Sequence, residues 1–121
     1  MSTLASTIEN KDDLKNQNVV KVKTHELLST QNFPTAIKFQ RIIDLEERIY
    51  HHLGVYCYSV NTLEKFINLT QTENEKKNRL EQLRALDNGI NINVSLAKYS
   101  PIGVDTMEDY LAIKKIMEYK N

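Results

Sequence analysis

Tryptophan is absent from this 121-residue chain, and glycine, proline and cysteine are scarce, with three, two and one residues. The single cysteine, Cys57, has no partner within the chain, which excludes an internal disulfide and favours a reducing compartment. No apolar run approaches the roughly 20 residues that span a bilayer, and the N-terminus lacks a basic-then-apolar signal pattern. We therefore expect a soluble, cytoplasmic protein that is not secreted.

The chain also lacks net charge, because 16 basic residues balance 16 acidic ones. A balanced chain has no overall field that would draw it to nucleic acid or to an anionic membrane, so neither is an expected partner. What the chain does contain is 40% hydrophobic residues, which at this length are enough for one modest core. We expect a single domain over residues 1–121.

The apolar periodicity predicts strands that alternate with helices, which is typical of an α/β layer structure. Residues 1–17 are polar and are interpreted as a loop or a short helical turn, before a first strand near Val19. The other predicted elements are a loop at 24–34, a helix at 35–50, a central strand at 53–58, helices at 61–67 and 73–88, a strand at 90–97 and a final helix that starts at Thr106.

Three of the predicted helices carry further expectations. Ile42, Leu45 and Ile49 recur at helical spacing, so the helix at 35–50 would need a partner surface such as a second copy of the chain. The helix at 73–88 should end at Asn88–Gly89, because glycine adopts the left-handed conformation that follows a last turn. The helix at 61–67 is predicted to turn its apolar residues inward: Leu63, Phe66 and Ile67.

Side chains of the central strand should point alternately to its two faces. One face is predicted to be capable of polar contacts, and it carries His52, Gly54, Tyr56 and Tyr58. The other face is predicted to be core, and it carries Leu53, Val55 and Cys57.

Three short motifs follow one another along the chain: HLGVYCY at 52–58, LEQLRALDNG at 80–89 and GVDT at 103–106. Each is ordinary when taken alone. With all three in this order, the chain resembles the 3-deoxy-manno-octulosonate cytidylyltransferases, the CMP-Kdo synthetases of lipopolysaccharide synthesis. The resemblance runs from about residue 2 to residue 119 and concerns the C-terminal half of that family.

The resemblance implies part of a Rossmann-like sandwich of the nucleotide-diphospho-sugar transferase type. It implies transfer of CMP from CTP to 3-deoxy-manno-octulosonate (Kdo), with Mg²⁺ as cofactor and release of pyrophosphate. The family's first half brings a glycine-containing nucleotide loop and a second acidic metal-binding motif, and neither is found here. We therefore expect a fragment that is inactive alone and that pairs as a homodimer or with a separate N-terminal half.

The resemblance also assigns site residues. His52 and Tyr56 would line the sugar pocket, Glu81 and Gln82 would hydrogen-bond the sugar hydroxyls, and Asp105 would hold the metal ion, since Mg²⁺ prefers oxygen ligands. From the residues alone a plainer interpretation stands beside each role. In that interpretation His52 and Tyr56 are ordinary half-buried residues. Glu81 and Gln82 belong to a solvated surface, and Asp105 is part of a helix start.

Three other residues are interpreted as structural or as departures from the family. His51 points away from His52 and is taken as structural, as is Arg84, which would pair with Glu81 one helical turn away. Thr30 is aligned with a family arginine that contacts the substrates, which would weaken carboxylate recognition.

Two alternatives remain open from the sequence. One is a non-catalytic sugar-acid-binding or dimerisation module that retains the fold. The other is an acylneuraminate cytidylyltransferase, although LEQLRALDNG fits the Kdo branch better. In either case an incomplete sheet would expose an edge and an apolar face, which predicts self-association.

Overall fold

The structure, a computed structural model, describes residues 1–98, 104 and 106–119. The strands of the described part are β1 (Ser2–Ser6), β2 (Lys21–Thr24), β3 (Ala36–Gln40), β4 (Ile49–Cys57) and β5 (Asn93–Leu96). The helices are a 3₁₀ turn (Lys11–Lys15), α1 (Val60–Ile67), α2 (Glu73–Asn78), α3 (Gln82–Asp87) and α4 (Met107–Tyr119). The predicted α/β class is confirmed.

The strands form one mixed sheet in the order β3-β2-β4-β1-β5, with β4 at its centre as predicted. All neighbours are antiparallel except β1 and β5, which are parallel. The sheet curves until its outer strands meet, because the Ala36 amide donates to the Ile92 carbonyl and the Val94 amide donates to the Pro34 carbonyl, both at 2.8 Å. β5 therefore has hydrogen-bond partners on both sides near its start.

The core joins buried side chains of the sheet with those of α1, α3 and the segment that follows α3. Its members are Ala5, Val22, Ala36, Phe39, Tyr50, Phe66, Leu80, Leu83, Ala85, Ile90, Ile92 and Val94. At roughly 1.5–3 kcal/mol for each large apolar side chain removed from water, this cluster is the main source of stability. It also joins β4 and α3 in one core, and these two elements, with Glu81 directly before α3, carry most of the predicted site residues.

Two predictions about helix ends are confirmed, one for the end of α3 and one for the start of α4. Gly89 has a φ of 75° after the last turn of α3, as expected of a left-handed C-terminal residue. At the start of α4, the Thr106 hydroxyl accepts from the Asp109 amide at 3.1 Å, and the Asp109 carboxylate accepts from the Thr106 amide at 3.2 Å.

The predicted helix at 35–50 is wrong, because residues 36–40 form β3 and residues 41–48 form an irregular connection. Lys23 and Lys38 lie opposite each other on β2 and β3, and Glu46 contacts both ammonium groups, at 2.5 and 3.3 Å. The Glu46 carboxylate thus offsets a repulsion between like charges. Arg48 has a φ of 61°, which a helix does not permit.

The predicted helix at 73–88 is two helices, α2 and α3, because Arg79 adopts the left-handed conformation with a φ of 54°. Arg84 does not pair with Glu81 as predicted. Its guanidinium donates to the buried carboxylate of Glu75 at 2.9 and 2.5 Å and lies 4.9 Å from the centre of the Phe66 ring. This ion pair joins α2 to α3 and holds the pKa of the Glu75 carboxyl below its usual range.

Three smaller predictions are also wrong. Residues 1–17 are not only loop and helical turn, since Ser2–Ser6 form β1, which is hydrogen-bonded to β4 and β5. Leu63 and Ile67 of α1 are exposed, and only Phe66 faces the core. On β4, Val55 and Cys57 are exposed, so the face predicted to be core is buried only at Leu53.

Candidate functional site

A bulge in β4 shapes one wall of the candidate site. Thr3 pairs with Tyr56 and Leu4 pairs with Leu53, so the two β4 residues between them, at 54 and 55, have no partner on β1. The His52 and Tyr56 rings nevertheless lie on one face, with their centres 5.7 Å apart, and the Tyr58 ring follows 6.2 Å from that of Tyr56. The structure therefore brings His52 and Tyr56 together on the face that the sequence predicted.

The second wall comes from the junction between α2 and α3. The left-handed turn at Arg79 ends α2, and the Leu80 amide closes the turn on the Glu75 carbonyl at 3.3 Å. Leu80 enters the core, which places Glu81 and Gln82 beside β4. The four residues predicted to bind sugar thus border one cleft.

The cleft has a volume of about 590 Å³. It is lined by Asn18, Val20, Arg41, His51, His52, Leu53, Gly54, Val55, Tyr56, Leu80, Glu81 and Gln82. A second cavity of about 540 Å³ shares the segment from Leu80 to Gln82 as a wall. His51, interpreted as structural, therefore also borders the cleft.

Burial keeps the aromatic wall of the cleft neutral. Burial, with a smaller contribution from the neighbouring His51, lowers the pKa of His52 to about 4. Burial, and then the nearby Glu81 carboxylate, raises the pKa of the Tyr56 phenol, and the same two causes in the same order raise that of Tyr58. At neutral pH the cleft lining thus presents the uncharged imidazole of His52 and the protonated phenol of Tyr56, which suit hydrogen bonds to a polyol.

Gln82 carries a side-chain amide that has no hydrogen-bond partner among the described residues. The residue is only 3% exposed, yet its side chain lines the cleft. Ser6 Oγ is the one fully enclosed side-chain polar atom without a partner in the described part of the chain, so the Gln82 amide keeps access to the cleft and can bond a ligand or a water molecule there. Glu81, next to it, is exposed and adds a carboxylate to the same rim.

Arg41 is the site residue that the sequence interpretation missed. It follows β3, and its Nε, Nη1 and Nη2 atoms donate to the carbonyls of Asn78, Gln17 and Arg79, each at 3.0 Å. Three of the five guanidinium N–H groups are thereby used, and Arg41 forms no ion pair within the described part of the chain. The guanidinium is held rigidly at the cleft with two donors still available.

Thr30, by contrast, lies in the exposed loop before β3 and does not line the cleft. Arg41, eleven positions further along the chain, is the arginine that lines the cleft. The signal that points to Arg41 is the alternation in AIKFQ at 36–40, which ends directly before it and which the helical spacing of Ile42 and Leu45 obscured.

The predicted metal ligand Asp105 lies outside the described residues. Within residues 1–98, 104 and 106–119 there is no group of three or more histidine, cysteine, aspartate or glutamate side chains placed to hold a metal ion. The same residues contain no helix long and apolar enough to cross a membrane.

No protein-family model matches the chain. Curated relatives named 3-deoxy-manno-octulosonate cytidylyltransferase do match it. The protein from Thermodesulfovibrio yellowstonii is 38% identical over 123 residues, and that from Bartonella quintana is 37% identical over 119 residues; each match covers 97% of this chain and 48% of the relative. That from Brucella anthropi is 38% identical over 90% of this chain and 44% of its own length.

A solved structure, that of CMP:2-keto-3-deoxy-manno-octonic acid synthetase complexed with CTP, superimposes with a TM-score of 0.79 and 26% identity, over 99% of this chain and 49% of that one. The chain thus has the mixed α/β fold of a nucleotide-sugar transferase and spans about half the length of the relatives it matches. The match of LEQLRALDNG and its companion motifs agrees with these findings. The chain is therefore a homologue of the 3-deoxy-manno-octulosonate cytidylyltransferases over about half of their length.

Proposed function

We propose that this chain is the sugar-acid-binding half of a cytidylyltransferase that transfers CMP from CTP to 3-deoxy-manno-octulosonate and releases pyrophosphate, in lipopolysaccharide synthesis. In this proposal residues 1–121 form one domain, which corresponds to the C-terminal, sugar-binding and dimerisation half of the relatives. The observation that carries the proposal is the side-chain amide of Gln82, which has no hydrogen-bond partner among the described residues and lines a cleft that also holds His52, Tyr56 and Glu81.

The groups around the cleft match the chemistry of a polyhydroxylated acid. The Arg41 guanidinium offers two free donors to a carboxylate, and a guanidinium binds a carboxylate better than other side chains do. Glu81 accepts hydrogen bonds from hydroxyl groups, Gln82 both donates and accepts, and Tyr56 offers a protonated phenol. Together these residues would hold the sugar acid so that its anomeric hydroxyl meets the α-phosphate of CTP, and positioning supplies much of the rate of such a reaction.

The remaining parts of the reaction are assigned to groups outside the cleft. Asp105 is proposed as a ligand of Mg²⁺, which supplies charge neutralisation at the phosphates when it is bound. The nucleotide and a second metal-binding carboxylate are assigned to a separate N-terminal half, and a homodimer is the proposed assembly. The proposed compartment is the cytoplasm.

Two measurements test the proposal with the full chain. The first is calorimetric titration with 3-deoxy-manno-octulosonate, in which Gln82→Leu removes the amide at nearly constant size. Loss of one or two hydrogen bonds should weaken binding about 10-fold. Glu73→Gln, an exposed change in the first turn of α2, is the matched control and should bind as the wild type does.

The second measurement is Mg²⁺-dependent pyrophosphate release from CTP and the sugar acid, by the chain alone and mixed with the N-terminal half of a homologous synthetase. Turnover in the mixture only, lost with Asp105→Ala, is the expected result. Binding without turnover in either arm would favour the non-catalytic sugar-acid-binding module. Absence of any binding by the wild-type chain would contradict both functions.

A further inference from the structure

The hydroxyl group of Thr3 fills the bulge in β4 and contacts His52. Thr3 is 3% exposed, and its Oγ1 atom lies 2.8 Å from His52 Nε2, 2.8 Å from the Val55 carbonyl oxygen and 3.2 Å from the Leu53 carbonyl oxygen. Leu53 pairs with Leu4 directly before the bulge, and Val55 is one of the two bulge residues without a partner on β1. One hydroxyl on the neighbouring strand therefore meets three polar atoms.

The position of the protons in this cluster follows from what each atom can do. A threonine hydroxyl has one hydrogen to donate and lone pairs that accept, whereas a carbonyl oxygen only accepts. If Thr3 donated to His52, both carbonyl oxygens would face Oγ1 with no hydrogen between them. If Thr3 donates to the Val55 carbonyl, the hydroxyl can accept from an Nε2–H group, so both 2.8 Å contacts are hydrogen bonds and only the longer contact with the Leu53 carbonyl, at 3.2 Å, has no hydrogen of its own.

The same arrangement decides what His52 offers to the cleft. With the proton on Nε2, the neutral imidazole has Nδ1 as an acceptor. Nδ1 has no hydrogen-bond partner among the described residues, and Ser6 Oγ is the one fully enclosed side-chain polar atom without a partner in that part of the chain. Nδ1 therefore remains accessible, in a residue that lines the cleft.

We propose that Thr3 is a positioning residue that holds His52 in its Nε2–H tautomer, so that Nδ1 accepts a hydrogen bond from a hydroxyl group of the bound sugar acid. His52 then selects a hydroxyl donor and does not contact the carboxylate, which falls to Arg41, another residue of the cleft lining. The substrate part of this assignment rests on the proposed function, whereas the tautomer does not.

The tautomer is measured by nitrogen-15 NMR of the full chain with labelled histidine, and the His52 signals are assigned by their loss in His52→Gln. The expected result near pH 7 is a protonated Nε2 and an unprotonated Nδ1, in the wild type and in Thr3→Ser. Thr3→Val keeps the shape but removes the hydroxyl, so its His52 should exchange between tautomers. A wild-type His52 with its proton on Nδ1 would overturn the proposal, as would a Thr3→Val spectrum identical to that of the wild type.

The consequence for binding is measured by titration with 3-deoxy-manno-octulosonate. Thr3→Val should bind about 10-fold more weakly than the wild type, and Thr3→Ser should stay within about 3-fold of it. Equal affinity of Thr3→Val and wild type would contradict the role of Thr3 in binding. If Thr3→Val does not fold, the wild-type and Thr3→Ser spectra still decide the tautomer. Because the tautomer is read without ligand, failure of the wild type to bind contradicts only the proposed function and the substrate part of this inference.

Discussion

At the scale of single residues, the burial of His52 makes stability depend on pH. The pKa of this imidazole is about 4 in the folded chain against a usual value of 6.5, so between these pH values the unfolded chain binds more protons than the folded one. The free energy of unfolding should therefore fall as the pH falls from 6.5 towards 4. The loss attributable to His52 approaches roughly 3 kcal/mol at the acid end of this window.

The matching experiment is urea unfolding of the wild type and of His52→Gln at several pH values between about 5 and 7. The wild type should lose stability towards pH 5, and the variant should lose clearly less. His51 is half-buried and its pKa is also lowered, mainly by burial, so a smaller slope should remain in the variant. Identical slopes in the two proteins would contradict the assignment of this pH dependence to His52.

At the scale of secondary-structure elements, the break between α2 and α3 depends on one left-handed residue. Arg79 has a φ of 54°, and this conformation costs a non-glycine residue about 1 kcal/mol or more. Arg79→Gly should therefore raise the free energy of unfolding by about 0.5–1 kcal/mol, after allowance for the greater freedom of glycine in the unfolded chain. The Arg79 carbonyl, which accepts from Arg41, is retained.

Urea unfolding distinguishes this break from a continuous helix at 73–88. In a continuous helix, glycine at this position would lower the stability by about 1 kcal/mol. The sign of the change in the free energy of unfolding therefore distinguishes the two arrangements. Arg79→Ala is the matched control, because it removes the same side chain but keeps the left-handed penalty, and it should not be stabilised. A destabilised Arg79→Gly would contradict the two-helix arrangement.

The same elements show what a sequence can and cannot predict. The alternation at 90–97, the glycine at 89 and the polarity of the Thr106 helix start are local signals, and each gave the correct element. The helix at 35–50 failed because Ile42 and Leu45 have helical spacing by chance and are exposed, while the pairing of β3 with β2 is a long-range contact. β1 failed because its short Ser, Thr and Ala side chains give little periodic signal.

For the site, the sequence motifs pointed to residues on β4 and at the start of α3 that the structure places around one cleft, because those residues lie within recognisable segments. Arg41 was missed because its place in the cleft depends on the carbonyl groups of Gln17, Asn78 and Arg79, and each of these residues is far from Arg41 in the chain. Thr3 was missed for the same reason, since 49 residues separate it from His52. Contacts of this kind become visible only when the sheet is assembled.

At the scale of the whole molecule, α4 adds little to the described core. None of its residues is buried, and Met107, Leu111 and Met117 are 70%, 55% and 63% exposed. Deletion of residues 107–119 should therefore change the free energy of unfolding by less than about 1 kcal/mol, since α4 has little apolar area removed from water. Removal of residues 1–6 should instead abolish cooperative unfolding, because β1 bonds to β4 and β5.

The exposed apolar side chains of α4 also predict what the helix does in an assembly. Soluble monomers rarely expose large contiguous apolar patches, so the full chain should self-associate at micromolar concentrations and the shortened chain should do so less. Sedimentation velocity at several concentrations measures this, and urea unfolding of the same samples measures stability. If the shortened chain had a free energy of unfolding more than about 2 kcal/mol lower than that of the full chain, α4 would have to pack on the core, because only buried apolar area gives a difference of that size. Unchanged association would assign it instead to the apolar side chains exposed on β4 and α1.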